Sequence, residues 1–86
     1  MSRETILLLV ERCKAACAAG ASLDEIRDRV LPAEFDKIAP QDFLEWVKDD
    51  REYCWYYYDA QQSGVCAKPA EAAALILESI ILDALE

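Results

Sequence analysis

The stretch QDFLEWVKDDREYCWYYYDAQQ, residues 41–62, decides how this chain folds. Read as one segment, it places Phe43, Val47, Cys54 and Tyr58 on a single helical face, with Leu44 and Tyr57 on the flanks. The opposite face is then Glu45, Asp49, Glu52, Tyr56 and Asp59, at alternating spacings of 4 and 3. No proline or glycine interrupts it before Ser63-Gly64. The spacing therefore predicts one helix over 41–62, roughly 33 Å long. Five of the eight aromatic residues lie within 53–58, and no single face can bury them all. Trp46 and Tyr53 fall on one border and Trp55 on the other, which leaves Tyr56 facing outward between Glu52 and Asp59.

The segments on either side also read as helices. From about 3 to 19, Ile6, Val10, Cys13 and Cys17 form an apolar stripe extended by Leu9 and Ala16. Ser2 is placed as its N-cap and Gly20 follows its end. Leu7 and Leu8 fall outside the stripe. Ser22-Leu23-Asp24-Glu25 has the form of a capping box, opening a helix over 23–31 with Leu23, Ile26 and Val30 on its inner edge. Leu31-Pro32 is expected to stop it, and a short helical turn near 33–38 points Phe35 and Ile38 inward. The last helix, 69–85, starts with Pro69 in its first turn and is apolar around more than half its circumference. Leu75 and Leu82 fall among Glu71, Glu78 and Ser79 on its wet side. A helix apolar nearly all round is either central in a bundle or part of an oligomer seam. The expected fold is all-α, a compact bundle of four helices in one domain over residues 1–86. Two glycines and three prolines are too few for the many tight turns of an all-β chain.

Charge narrows the choice of partner. The net charge is −8, and residues 41–86 carry ten acids against three bases, a balance of −7. Residues 1–40 carry seven acids and six bases, a balance of −1. Such a surface repels phosphate backbones and attracts a basic protein surface. Direct nucleic-acid binding is therefore not expected. The run Ile6–Val10 is too short for a signal-peptide core, and Glu71, Glu78 and Asp83 interrupt the C-terminal apolar run. The expectation is a soluble, cytoplasmic protein without a membrane partner.

Catalytic chemistry finds little footing. The chain has no histidine, and Asp49 and Asp50 are neighbours whose side chains diverge on a helix. No phosphate-cradling loop, nucleophile elbow or metalloprotease motif is present, so no enzyme, catalytic residue or cofactor is expected. Asp24, Asp28, Glu34 and Asp36 lack the spacing and glycine of a calcium loop. Cys13, Cys17, Cys54 and Cys66 lack the close C-x2-C pair of structural zinc. They read as small apolar side chains on core faces, with a Cys54–Cys66 disulfide or a zinc site as the alternatives.

What remains is a binding surface. Tyrosine and tryptophan supply large, stiff contact area with a polar tip. Tyr56 and Trp55, set among Glu45, Asp49, Glu52 and Asp59, are the candidate partner-binding residues. Leu7, Leu8, Leu75 and Leu82 are the candidates for self-association. In size, acidity and four-helix outline the chain is similar to the colicin immunity proteins, although their tyrosine motif and chain order do not match here. It is likewise similar to phage-encoded anti-CRISPR and host-takeover proteins in being short, acidic and without catalytic residues. These likenesses cover no aligned segment and transfer no residue. The expected function is that of a stoichiometric inhibitor masking a basic surface on another protein. The alternatives are a homodimeric helical adaptor with the last helix as its seam and, more weakly, a DNA mimic.

Overall fold

The computed structural model describes residues 3–64 and 68–86. Within them the chain is all-helical and forms no strand. There are five helices, not four: α1 (Arg3–Ala18), α2, α3 (Pro40–Asp49), α4 (Cys54–Ser63) and α5 (Pro69–Leu85). Helix α2 runs as Leu23–Glu25, a wider π-helical turn at Ile26–Val30, and Leu31–Phe35. The expected Ser2 cap and Cys66 lie outside the described residues. No helix among the described residues is long and apolar enough to cross a membrane.

Two boundaries differ from expectation, each for a local reason. Pro32 does not stop α2. A proline inside a helix lacks the N–H for the carbonyl four residues back, and its ring collides with that carbonyl. Here the turn before it widens, and the Leu31 N–H reaches the Ile26 carbonyl five residues back. The ring is thereby accommodated and the helix continues to Phe35. At its start, Ser22 Oγ accepts from the Glu25 N–H at 3.2 Å. Glu25 itself pairs with Arg29 at 3.0 Å rather than closing the capping box.

The second difference is larger: the expected 41–62 helix is broken at Asp50. That residue adopts an extended conformation, with φ −78° and ψ 139°. Its carboxylate accepts from the backbone N–H of Glu52 at 2.9 Å and of Tyr53 at 3.0 Å. Asp50 thus closes α3 and caps the turn that opens α4, a role its short acceptor side chain suits better than a helix interior. A straight 22-residue helix would be roughly 33 Å long. That equals nearly the whole 34 Å long dimension of the molecule. The break lets the second half fold back along α5.

Helix α5 is the centre of the structure and packs on all four others. It contributes Ala73, Ile76, Leu77, Ile80 and Ile81 to the core. These meet Ile6, Leu9, Val10 and Cys13 of α1, Ile26 and Leu31 of α2, and Phe43 and Val47 of α3. Central placement accounts for the apolar circumference of α5, since each neighbour covers a different side. Helix α4 stands apart, because none of its residues is fully buried. It covers the core with half-buried Tyr56, Tyr57 and Ala60 and leaves its outer face free.

Candidate protein-binding surface

Four rings hold α4 against the body. Phe43 and Trp46 lie 6.2 Å apart, Trp46 and Tyr53 6.1 Å, and Tyr53 and Tyr56 6.4 Å, all tilted. The rings climb from the core, around the α3–α4 corner, to the first turn of α4. There the Tyr56 hydroxyl donates to Asp83 Oδ2 of α5 at 2.9 Å. Burial, and then this hydrogen bond to a carboxylate, push the Tyr56 phenol above its ordinary value. Arg3 adds a clamp from α1, reaching Asp50 at 3.5 Å and Glu52 at 3.2 Å.

This geometry reverses part of the expected face assignment. Tyr56 is half-buried and hydrogen-bonded, not outward-facing, and Tyr58, expected in the core, is 46% exposed. Trp55 is 69% exposed. The reason is the break at Asp50, which resets the helical phase so that Tyr56, Tyr57 and Ala60 turn inward together. Trp55 and Tyr58, three residues apart, then share the outer face. Cys54, also expected inside, is only half-buried.

The acidic candidates remain at the surface but no longer form one stripe. Glu45 and Asp49 project from α3, Glu52 from the corner and Asp59 from α4, and all four are exposed. Glu52 is engaged by Arg3, and Glu45 accepts from Gln41 at 3.4 Å. Asp49 and Asp59 make no ion pair among the described residues. The contrast with the first half of the chain is sharp. There Arg12, Lys14, Arg27, Arg29 and Lys37 are each paired with a nearby carboxylate. The uncompensated negative charge therefore gathers on α3, α4 and α5.

A groove of about 460 Å³ lies between α4 and α5. Asp59 and Ser63 edge it from α4, and Leu75, Ser79 and Leu82 from α5. Leu75 and Leu82, expected on a wet face, are half-buried along this groove. Sequence periodicity could not join them to Tyr56 and Asp59, because the two sets meet only through the antiparallel packing of α4 on α5. Leu7 and Leu8 stand apart on α1, 50% and 53% exposed.

Among the described residues, no group of three or more Cys, Asp or Glu side chains is placed to hold a metal ion. Cys13, Cys17 and Cys54 are free thiols, and the expected alternative pairing of Cys54 with Cys66 lies partly outside the described residues. Burial, with Cys17 and Glu34 nearby, pushes the Cys13 thiol up and leaves it a poor nucleophile. Compared with known protein families, with curated proteins and with solved structures, the chain matches none of them.

Proposed function

We propose that this protein is a small, acidic, non-catalytic binding module that masks a basic surface on a partner protein, one copy to one. The observation that carries the reading is the outer face of α4. Trp55 and Tyr58, three residues apart, are both exposed on it, and Asp59 next to Tyr58 makes no ion pair among the described residues. Exposed aromatics of this kind anchor interfaces, and the surrounding charge speeds and orients encounter. Inhibition in phage–bacterium or toxin conflict is the setting proposed for it.

The test uses tagged protein as bait in a bacterial lysate, with captured proteins identified by mass spectrometry. The comparison is between wild type and a Trp55→Ala, Tyr58→Ala double variant. Wild type should enrich a basic protein in near-equal amount, and the variant should lose it while keeping its helical circular dichroism. Undiminished capture by the variant would sink the proposal. Tyr56 is not a clean probe, because its ring packs on Tyr53 and its hydroxyl holds α4 to α5.

A second reading rests on Leu7 and Leu8, adjacent and half-exposed on α1. They add α1 to the expected seam on α5, where Leu75 and Leu82 stay half-buried along the open groove. Sedimentation of wild type against Leu7→Lys, Leu8→Lys decides it. A dimer dispersed by the pair supports this reading, and a monomeric wild type removes it.

A further inference from the structure

We infer that the α4–α5 groove receives a single amphipathic, basic helix of the partner. This rests on the protein-binding reading above and specifies its chemistry. The groove has two ridges built at helical spacing. Tyr56, Asp59 and Ser63 recur about once per turn along α4, and Leu75, Ser79, Leu82 and Glu86 do so along α5. The Tyr56–Asp83 hydrogen bond joins the start of α4 to the end of α5, as antiparallel ridges require. From Leu75 to Glu86 the groove runs about 16 Å, the length of three helical turns. Ala60 and Ile76 lie along its floor. Ala60, Ser63 and Ser79 place small side chains in the groove among the larger Leu75, Ile76 and Leu82. A leucine-sized side chain of an incoming helix fits there, with neighbours one turn away resting on Leu75 and Leu82.

Charge names the other half of the occupant. Asp59, Asp83 and Glu86 line the groove and no lysine or arginine does, among the described residues. An incoming helix that carries Lys or Arg beside its apolar stripe meets opposite charge on both edges. The neighbouring cleft of about 300 Å³ between α3, α4 and α5 lacks this character. It mixes Glu45 with Lys48 and the amides of Gln41 and Gln61.

The experiment measures fluorescence anisotropy of a labelled synthetic peptide of about 14 residues, long enough for the three turns of the groove. The peptide carries leucines once per turn and lysines on the flanks. A peptide of equal composition, shuffled to destroy the stripe, is the control. Saturable one-to-one binding of the patterned peptide is expected, at least about tenfold tighter than the shuffled one and weakened by salt. Ser79→Trp, which puts a large ring into the groove, should weaken binding at least about tenfold. The neutralising set Asp59→Asn, Asp83→Asn and Glu86→Gln should do the same and flatten the salt dependence. That set keeps an acceptor for Tyr56, so it tests the inference even where Ser79→Trp disturbs the fold. Equal binding of both peptides, or patterned binding indifferent to both sets of changes, overturns the groove. Partner capture that still depends on Trp55 and Tyr58 would then leave the broader reading standing, whereas loss of that dependence too would remove both.

Discussion

Replacing Asp50 tests the feature on which the rest of the structure turns. Its side chain is 9% exposed and accepts two backbone N–H bonds at the α3–α4 corner. Removing a helix cap costs about 1 kcal/mol, and up to about 2 where the cap is well engaged. Two accepted bonds and a nearly enclosed carboxylate put Asp50→Ala near the upper figure. The Arg3 pair adds little, about 0.5 kcal/mol or less, because Arg3 is 39% exposed and its approach is long at 3.5 Å. Asp50→Asn keeps an oxygen acceptor for the cap and loses only the charge, so it should cost about 0.5 kcal/mol. For a domain of this size these costs correspond to falls in Tm of roughly 8–16 °C for the alanine and 2–4 °C for the asparagine.

The same residue carries a pH signature. Burial opposes its ionisation, but the two N–H bonds and Arg3 outweigh that and hold the carboxyl below its ordinary value of 3.8. A folded value depressed in this way stabilises the protein above the unfolded value, and the stabilisation is lost as pH falls through the folded one. The gap between wild type and Asp50→Ala should therefore be full at neutral pH and shrink in acid below about 4. Urea titrations followed by circular dichroism at a series of pH values measure both quantities. Asp50→Ala within about 0.5 kcal/mol of wild type would refute the cap argument. An asparagine variant as damaged as the alanine would show that charge, not the cap, holds the corner.

Three further outcomes follow from individual side chains. Tyr56→Phe should cost about 1 kcal/mol by removing the hydroxyl that donates to Asp83, as read by urea denaturation. Because the Tyr56 phenol is raised, this stabilisation is full below its unfolded value and lost as pH rises through the folded one, so the variant and wild type should converge in strong alkali; a constant gap refutes it. Trp55→Phe should leave stability within about 0.5 kcal/mol while removing most acrylamide-quenchable tryptophan fluorescence, since Trp55 is exposed and Trp46 is packed between Phe43 and Tyr53. Equal quenching before and after the change would mean Trp55 is covered. In native protein, iodoacetamide should modify Cys17 and Cys54 well before Cys13, which is fully buried with a raised thiol, and peptide mapping that finds Cys13 labelled as fast as Cys17 would contradict the packing of α1.

Much of the architecture is legible residue by residue. The stripe Ile6, Val10, Cys13 of α1 is buried as its spacing requires, and so are Phe43 and Val47 of α3. Gly20, with φ at +107°, ends α1, and the Ala21 N–H returns to the Ala16 carbonyl at 3.0 Å. The apolar circumference of the last helix allows a central element or an oligomer seam, and within the chain it packs on all four neighbours. Of the candidate surface residues, the sequence places some on the outside correctly and others not. Trp55, Asp49 and Asp59 remain outside, whereas Tyr56 and Tyr58 exchange places. A signal for the exchange was present. On a continuous wheel Tyr56 and Ala60 fall away from Phe43 and Val47, whereas Tyr57 flanks them, and the adjacent aspartates 49 and 50 are poor helix-interior residues that favour caps.

By itself, the chain's order of residues determined that this protein is helical, which faces of α1 and α3 are apolar, and that uncompensated acid collects in its second half. Those properties follow from local spacing and composition, which no fold can alter. Whether residues 41–62 run straight or turn at Asp50 is not a local matter. An aspartate at that position favours a cap over a helix interior by only about 1 kcal/mol, too little to fix the path of 22 residues. The decision comes from α5, whose apolar side must be covered. The turn brings Tyr56, Tyr57 and Ala60 onto it, burying area that a straight helix would leave in water. That burial also sets Trp55 and Tyr58 outward and creates the groove beside Leu75 and Leu82.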